Sequence, residues 1–381
     1  MRAAHVLRSR AMPGRTARFV SGLAAFFFTA VVLLAVSATR PLAAKPEDVP
    51  VLAYYYIWYD RTSWDRAKTD LPILGAYSSS SAQVMRRHIE WAKSAGIDGF
   101  IVSWKSTPKL DERLSQLVEI ARDESFKLAI IYQGLDFDRD PVPVAQVGRD
   151  LAKFAGEYAS DRVFQILGRP LVVWSGTWEF SRSDIEGVTG ALRPVMRILA
   201  SERDVDGINR LAGTVDGDAY YWSSVDPETF PNYLDKLIAM SAVVHSQGGI
   251  WIVPVATGFD ARLIGGSRVI SRDDGEHLRR QMGLIAQTGP DAIGLISWNE
   301  FSENSHIEPS VEHGYAYLDV VREARPLADL APIDQDSSDD PPSTDPAWVQ
   351  RLLALAVLGL VTTSGVVLTI RRERRAIRTR P

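Results

Sequence analysis

The sequence contains no cysteine. Disulfides, thiolate zinc sites, thiol nucleophiles and a lipidated N-terminal Cys are thereby excluded. No Gly-rich phosphate loop follows the first strand-like run, which argues against a doubly wound dinucleotide fold. His245, His277 and His313 have no metal-ligand spacing, so neither a metal nor a cofactor is expected. Positive charge is scarce in the middle of the chain. The net charge is only −4, yet residues 1–40 carry six Arg and no acid, and residues 371–380 carry six Arg and one Glu. The remainder holds 46 acids against 31 bases. A folded surface of that sign excludes nucleic acid as a partner.

The bulk composition, 46% hydrophobic and 24% charged over 381 residues, is that of a globular protein. Two uncharged apolar runs, 19–37 and 352–370, stand apart from it. The first follows a basic head, as in an export signal or an N-terminal anchor over 1–44. The second is long enough to cross a bilayer, roughly 28 Å as helix, and runs straight into six Arg. A transmembrane helix is therefore expected over 348–370, with 371–381 as a basic cytoplasmic tail. Before it, PLADLAPIDQDSSDDPPSTDP has no apolar period and is expected to be a linker over 326–347. Arginines flank both runs on the side away from the acidic middle. This places residues 45–325 outside the membrane, tethered through the C-terminal helix.

From residue 51 onward, apolar runs of strand length alternate with amphipathic helical stretches. VLAYYYIWY (51–59), IDGFIVSW (97–104), KLAIIYQ (127–133), RPLVVWSG (169–176), GIWIVPV (249–255) and DAIGLISWNE (291–300) read as strands. Two shorter strands are expected at RLAGT (210–214) and DAYYW (218–222), after a helix over 183–200. AQVMRRHIEWAKSAG (82–96) puts Val84, Met85, His88, Ile89 and Ala92 on one face at helical spacing. Eight continuous Val/Ile/Leu/aromatic strands with helices between most of them predict an α/β chain forming a closed (β/α)8 TIM-type barrel over 45–325. The weak point is the fifth-to-sixth crossover, where 215–217 leaves no room for a helix.

Active sites of such barrels lie at the C-terminal strand ends. The residues there are Tyr56, Trp58 and Tyr59; Ser103 and Trp104; Tyr132 and Gln133; Trp174 and Trp178; Tyr221 and Trp222; Pro254 and Asp260; and Trp298, Asn299, Glu300 and Glu303. Rings stack on the C–H faces of sugars, and amides and carboxylates take the hydroxyls. A polysaccharide or oligosaccharide is therefore the expected substrate. Tyr56, Trp104, Gln133, Tyr221, Asp260 and Asn299 are the candidate binding residues. SWNEFSENSHIEPS (297–310) is the sharpest segment. Glu300 and Glu303 are three apart, and on a helical turn their Cβ atoms would be about 5–6 Å apart. Paired carboxylates of that kind are what retaining glycoside cleavage uses, with one pKa raised to make an acid beside a base.

The same segment resembles the NEWHEGTQIE signature of glycoside hydrolase family 99, the endo-α-mannosidases and endo-α-mannanases. Asn299, Glu300, Glu303, Ile307 and Glu308 match it. Phe301, Ser302, Asn304, Ser305 and His306 depart from it. Further landmarks agree in order across roughly 50–320: Tyr55, Tyr56, Trp58 and Tyr59; the turn at 75–77; His88 with AGIDGFIVSW; DAYYW around Tyr221; and TGFD (257–260) followed by RDDG (272–275). The resemblance implies a metal-independent (β/α)8 hydrolase that retains configuration through a 1,2-anhydro sugar. It implies Glu300 as the base on the sugar 2-hydroxyl and Glu303 as the acid/base at the glycosidic oxygen. The family's acidic residue at strand three is here Gln133 or absent, and its His between the carboxylates is Ser302. The NExxExxHxEP string also resembles transferase-like barrels of polysaccharide assembly. A non-catalytic glycan-binding or assembly protein is thus the alternative function.

Some of these residues also have plainer roles. His88 on an apolar helix face suits a packed histidine, Asp260 suits a turn cap, and His306 with Glu308 suits a pair behind the site.

Overall fold

The computed structural model describes residues 49–136 and 138–328. The signal or anchor over 1–44, most of the linker, the transmembrane helix and the basic tail lie outside the described residues. Among those described, no helix is long and apolar enough to cross a membrane.

Eight parallel strands form the barrel: β1 (Val51–Tyr56), β2 (Gly99–Trp104), β3 (Lys127–Gln133), β4 (Leu171–Ser175), β5 (Arg197–Leu199), β6 (Gly217–Ala219), β7 (Ile250–Ala256) and β10 (Ala292–Ile296). Their order is β5-β4-β3-β2-β1-β10-β7-β6. Closure runs through Ala200, whose N–H donates to Gly217 O (3.0 Å) and whose carbonyl accepts from Ala219 N–H (2.8 Å). The chain is therefore a (β/α)8 barrel, as the alternation of runs predicts. Two short strands, β8 (Phe259–Asp260) and β9 (Val269–Ile270), form an antiparallel hairpin in the excursion after β7.

The helices are α1 (Ala82–Ser94), α2 (Pro108–Asp123), α3 (Val144–Glu157), α4 (Arg182–Leu192), α5 (Val205–Arg210), α6 (Tyr233–Ser246), α7 (Glu276–Ile285) and α8 (Ala316–Ala328). Local chemistry starts them where they start. Ser81 caps α1 on Val84 N–H, Thr107 caps α2 with Pro108 behind it, and Ser181 with Asp184 closes a capping box on α4. Helix α8 runs three residues into the segment expected as linker, to Ala328.

The fifth strand is a correction. The helix expected over 183–200 stops at Leu192 because Pro194 follows, and the freed residues Arg197–Leu199 become β5. RLAGT, expected as a strand, is instead the end of α5 and its turn. The crossover to β6 then holds a helix, which removes the difficulty at 215–217.

Pleat alternation sorts every strand. Leu52, Tyr54, Ile101, Ala129, Ile131, Val173, Leu199, Ile252 and Ile296 fill the barrel interior. Their neighbours Ala53, Tyr55, Phe100, Val102, Ile130, Val172 and Val253 pack outward against the helices. Each strand is buried on both faces, which explains the unbroken apolar runs.

Candidate active site

The last strand, β10, leads directly into the carboxylate segment. Glu300 and Glu303 do not sit on a helix; residues 301–304 form a hydrogen-bonded turn, with Asn304 at φ +50°. The Glu300 N–H donates to Ser297 Oγ (2.8 Å), and its carboxylate accepts from Ser302 N–H (3.0 Å). The Tyr59 hydroxyl donates to Asn299 O (2.7 Å) and lies 3.5 Å from Glu300 Oε1. Behind Glu300 stands an aromatic wall of Tyr56, Tyr59, Trp64, Tyr77 and Phe301. Tyr59 stacks on Trp64 with ring centres 4.6 Å apart, and Trp64 Nε1 donates to Tyr77 O (2.7 Å).

That wall sets the electrostatics. Burial, then the charge of Glu303, pushes the Glu300 carboxyl well above the usual carboxylate range; Lys68 opposes this only in part. Burial also raises Glu303, against the opposing charge of Arg139. The two titrate as one system, which keeps a proton where free carboxyl groups have lost theirs. Over them lies a tyrosine bridge. Tyr56 Oη and Tyr221 Oη are 2.6 Å apart, and Tyr221 stands edge-on to Tyr54 at 4.8 Å. Burial and then the charge of Glu303 hold the Tyr56 hydroxyl protonated. Trp58, 42% exposed, stacks on Tyr56 at 4.4 Å and forms part of the rim.

The sequence-predicted residues divide cleanly. Tyr56, Tyr221, Glu300 and Glu303 are brought together. Gln133 points inward from β3 and donates to Ser103 Oγ (3.2 Å), so both belong to the mouth. Asn299 is adjacent, but its side chain serves the backbone. It accepts from Tyr56 N–H (2.8 Å) and donates to Tyr56 O (3.0 Å) and Tyr77 Oη (3.2 Å), and it is buried. Asp260 holds Arg262 with both oxygens; its own N–H donates to Glu303 O (2.7 Å). Neither carboxamide nor carboxylate is left facing a substrate.

Trp104 is not at the mouth. It follows Ser103 by one residue, so the pleat turns it outward, where it is fully buried and donates to Asp111 Oδ1 (3.0 Å). Tyr132, Trp174 and Trp298 are turned outward and buried in the same way.

Sequence reasoning missed how the supporting pairs are arranged. Glu308 lies 3.1 Å from His88 Nε2 and accepts from Tyr77 Oη (2.8 Å), while Tyr55 Oη meets His88 Nδ1 (3.1 Å). His306 pairs instead with Asp70 (3.2 Å) and stacks on Phe301 at 3.9 Å. Burial pushes the His306 imidazole down to about 3, so it is neutral. Burial alone would raise Asp70, but hydrogen bonds from His306, Ser310 and the Glu312 and Leu71 N–H groups outweigh it and hold the carboxyl low. Asp70, Glu312 and His313 have ligand atoms within 4.8 Å of one another. Asp70 is already committed to these internal donors, so the trio reads as a brace. A separate cavity of about 60 Å³ behind the β5–β6 seam, lined by Ile208, Val215, Asp218 and Val244 among others, contains none of the mouth residues.

The comparisons agree with this fold. A GH99 endo-alpha-mannosidase from Bacteroides thetaiotaomicron superposes with TM-score 0.63 at 19% identity, over 73% of this chain and 96% of that one. A "glycoside hydrolase-like protein" superposes with TM-score 0.57 at 16% identity, over 75% and 96%. At these identities the likeness shows a shared barrel fold. Among the curated proteins none matches the sequence. The sequence model of glycosyl hydrolase family 71 matches residues 72–323, about two thirds of the chain, from just before α1 into α8 and including the whole carboxylate segment. Of the landmarks that resemble family 99, Tyr55, Tyr56, Trp58 and Tyr59 precede this match and the others lie within it; the chain is a glycoside hydrolase and belongs to glycosyl hydrolase family 71.

Proposed function

We propose that this glycoside hydrolase cleaves an α-linked polysaccharide with retention of configuration, using Glu300 and Glu303 as its reacting pair. The observation that carries the reading is two electrostatically coupled carboxyl groups directly after the last barrel strand, beneath the Tyr56–Tyr221 bridge. In the route that the family-99 resemblance implies, Glu300 takes the proton of the sugar 2-hydroxyl as its oxygen closes on C1. Glu303 protonates the departing glycosidic oxygen. Water then opens the 1,2-anhydro ring, Glu303 takes its proton, and Glu300 returns one to O2. Mannose-containing glycans are the first substrates to try, because the endo-alpha-mannosidase shares the barrel.

One observation favours the reverse assignment. Glu300 is the more deeply buried of the two and also feels the charge of Glu303, so in the free site the shared proton rests on Glu300. In the assigned mechanism, substrate binding has to move that proton to Glu303.

We further propose that residues 45–347 face outward, tethered to the membrane, because arginines flank both apolar runs on the same side. A reporter fused after Pro381 and active only outside the cell would overturn this.

The deciding test of the activity is incubation of the full chain with a panel of α-mannans and α-glucans, with NMR of the first-formed product. Retention supports the reading. Inversion, which needs carboxyl groups about 6.5–9.5 Å apart with a water between them, overturns it. Binding without cleavage anywhere in the panel favours the glycan-binding alternative.

A further inference from the structure

We propose that Arg272 is a positioning residue for Glu303, and that the excursion between β7 and α7 exists to hold the turn carrying that carboxylate. The inference rests on Glu303 being one of the reacting groups.

Four consecutive carbonyls, those of residues 303 to 306, each accept a hydrogen bond from this one excursion. Asp260 N–H donates to Glu303 O (2.7 Å). Arg272 Nη1 donates to Asn304 O (3.2 Å) and lies 3.3 Å from Asn304 Oδ1. Thr257 Oγ1 donates to Ser305 O (2.9 Å). Arg272 Nη2 donates to His306 O. The turn closes on its own strand end through Ser297 N–H to Ser305 O (2.9 Å) and Ser305 N–H to Glu300 O (3.3 Å), and with Asn304 at positive φ the excursion supplies the rest of its hold. Its carbonyls are the natural handles, and all four are taken.

Arg272 is unusual for a buried arginine. It is 7% exposed, and among the described residues no carboxylate lies within 4.0 Å of its guanidinium. It rests on the Tyr317 ring at 3.8 Å and gives Nη1 and Nη2 to backbone carbonyls, while its Nε is buried with no hydrogen-bond partner among the described residues. Burying a guanidinium without an ion-pair partner is costly, so the carbonyls it holds are the reason it is there. Gly258 makes room for it. At φ +154°, a Cβ there would lie 2.6 Å from Arg272 Cγ. The TGFD and RDDG landmarks of the sequence are thus two ends of one clamp, supplying Thr257, Gly258 and Asp260 from the first and Arg272 from the second.

The clamp acts by placement rather than by charge, and this fixes the sign of its test. Glu303 is half-buried, burial raises its carboxyl, and on this proposal the turn is what keeps it there. Loosening the turn lets water in and lowers its pKa, whereas merely removing a nearby positive charge would raise it. Asp70, Glu312, Tyr317, His306 and His313 face Arg272; Glu300, Tyr56, Tyr221 and Arg139 bear on Glu303.

The experiment is carbon-13 NMR titration of Glu-labelled full-length protein, with the Glu303 signal assigned by its loss in Glu303→Gln. Arg272→Met keeps the stem over Tyr317 and removes the donors. The expected result is a fall of the Glu303 titration midpoint by about one unit, partly restored in Arg272→Lys. Thr257→Val, which removes one carbonyl bond at constant volume, should move it the same way by less. It decides the matter if Arg272→Met does not fold. An unchanged midpoint with only a lower melting temperature would make Arg272 mere scaffolding, and a raised midpoint would make it a charge effect; either overturns the proposal. Because this readout needs no turnover, it stands even if the protein cleaves none of the glycans offered, and that outcome would fall on the proposed function alone.

Discussion

Tyr56 and Tyr221, 165 residues apart in sequence, place their hydroxyls 2.6 Å apart above the carboxylate pair. They come from β1 and from the end of β6, so the bond ties opposite parts of the barrel rim. Each hydroxyl has no other hydrogen-bond partner among the described residues. Tyr56→Phe and Tyr221→Phe should each lower kcat/KM by about tenfold, the size of one hydrogen bond. The double variant should lose little more than either single, since the first substitution already breaks the shared bond. A cycle of kcat/KM over the three variants checks this; strictly additive losses would mean that the two tyrosines act separately.

Trp104→Ala should destabilise the fold by about 3–5 kcal/mol, as for a large core side chain. Affinity of the remaining folded protein for oligosaccharide should not change. The ring packs in the outer layer against Tyr132 and Phe154 and gives its N–H to Asp111. Urea unfolding alongside a binding titration checks both halves. Lost affinity at unchanged stability would return Trp104 to the mouth.

Glu300→Gln should raise thermal stability at neutral and alkaline pH and leave it nearly unchanged near pH 4. The folded pKa of Glu300 is raised, so the folded state holds a proton that the unfolded chain releases once pH passes about 4.3. The stability tied to that proton is full below this pH and is lost as pH rises through the folded pKa. Replacing the carboxyl removes the loss, with a gain in melting temperature of roughly 2–4 °C per kcal/mol. Melting curves of both proteins from pH 4 to 9 should diverge only on the alkaline side; a constant offset would show that burial of this group is not the cause.

Most of the barrel was legible because strands buried on both faces leave unbroken apolar runs, and β1, β2, β3, β4, β7 and β10 all do so. The fifth strand was hidden by its length of three residues, although Pro194 marked where the preceding helix had to stop. The carboxylate pair stood out in the sequence because it follows the last strand directly, and the structure places it there. The mouth list mixed the two faces of each strand: at the end of β2, Ser103 points in and Trp104 points out. Period-two alternation carried through from the barrel interior would have separated them. The pairing of His88 with Glu308, and of His306 with Asp70, could not be read from spacing. Each joins side chains more than 200 residues apart, and only the closed barrel brings them together.

The two carboxylates should separate by leaving group. If Glu303 protonates the departing oxygen, Glu303→Gln should lose least on substrates whose leaving group is an acidic phenol, which departs without a proton. Glu300→Gln should then fail on every substrate, because the attack of the 2-hydroxyl goes unassisted. Both variants should still bind oligosaccharide, since Glu→Gln changes charge and barely changes shape. The deeper burial of Glu300 makes the opposite outcome specific too. If the free-site proton on Glu300 is the one delivered, Glu300→Gln is the variant rescued by a good leaving group and Glu303→Gln the one that fails throughout. Rates of both variants on an aryl glycoside and on the natural polysaccharide decide between the assignments. Wild-type rates in either variant would remove that carboxylate from the chemistry altogether.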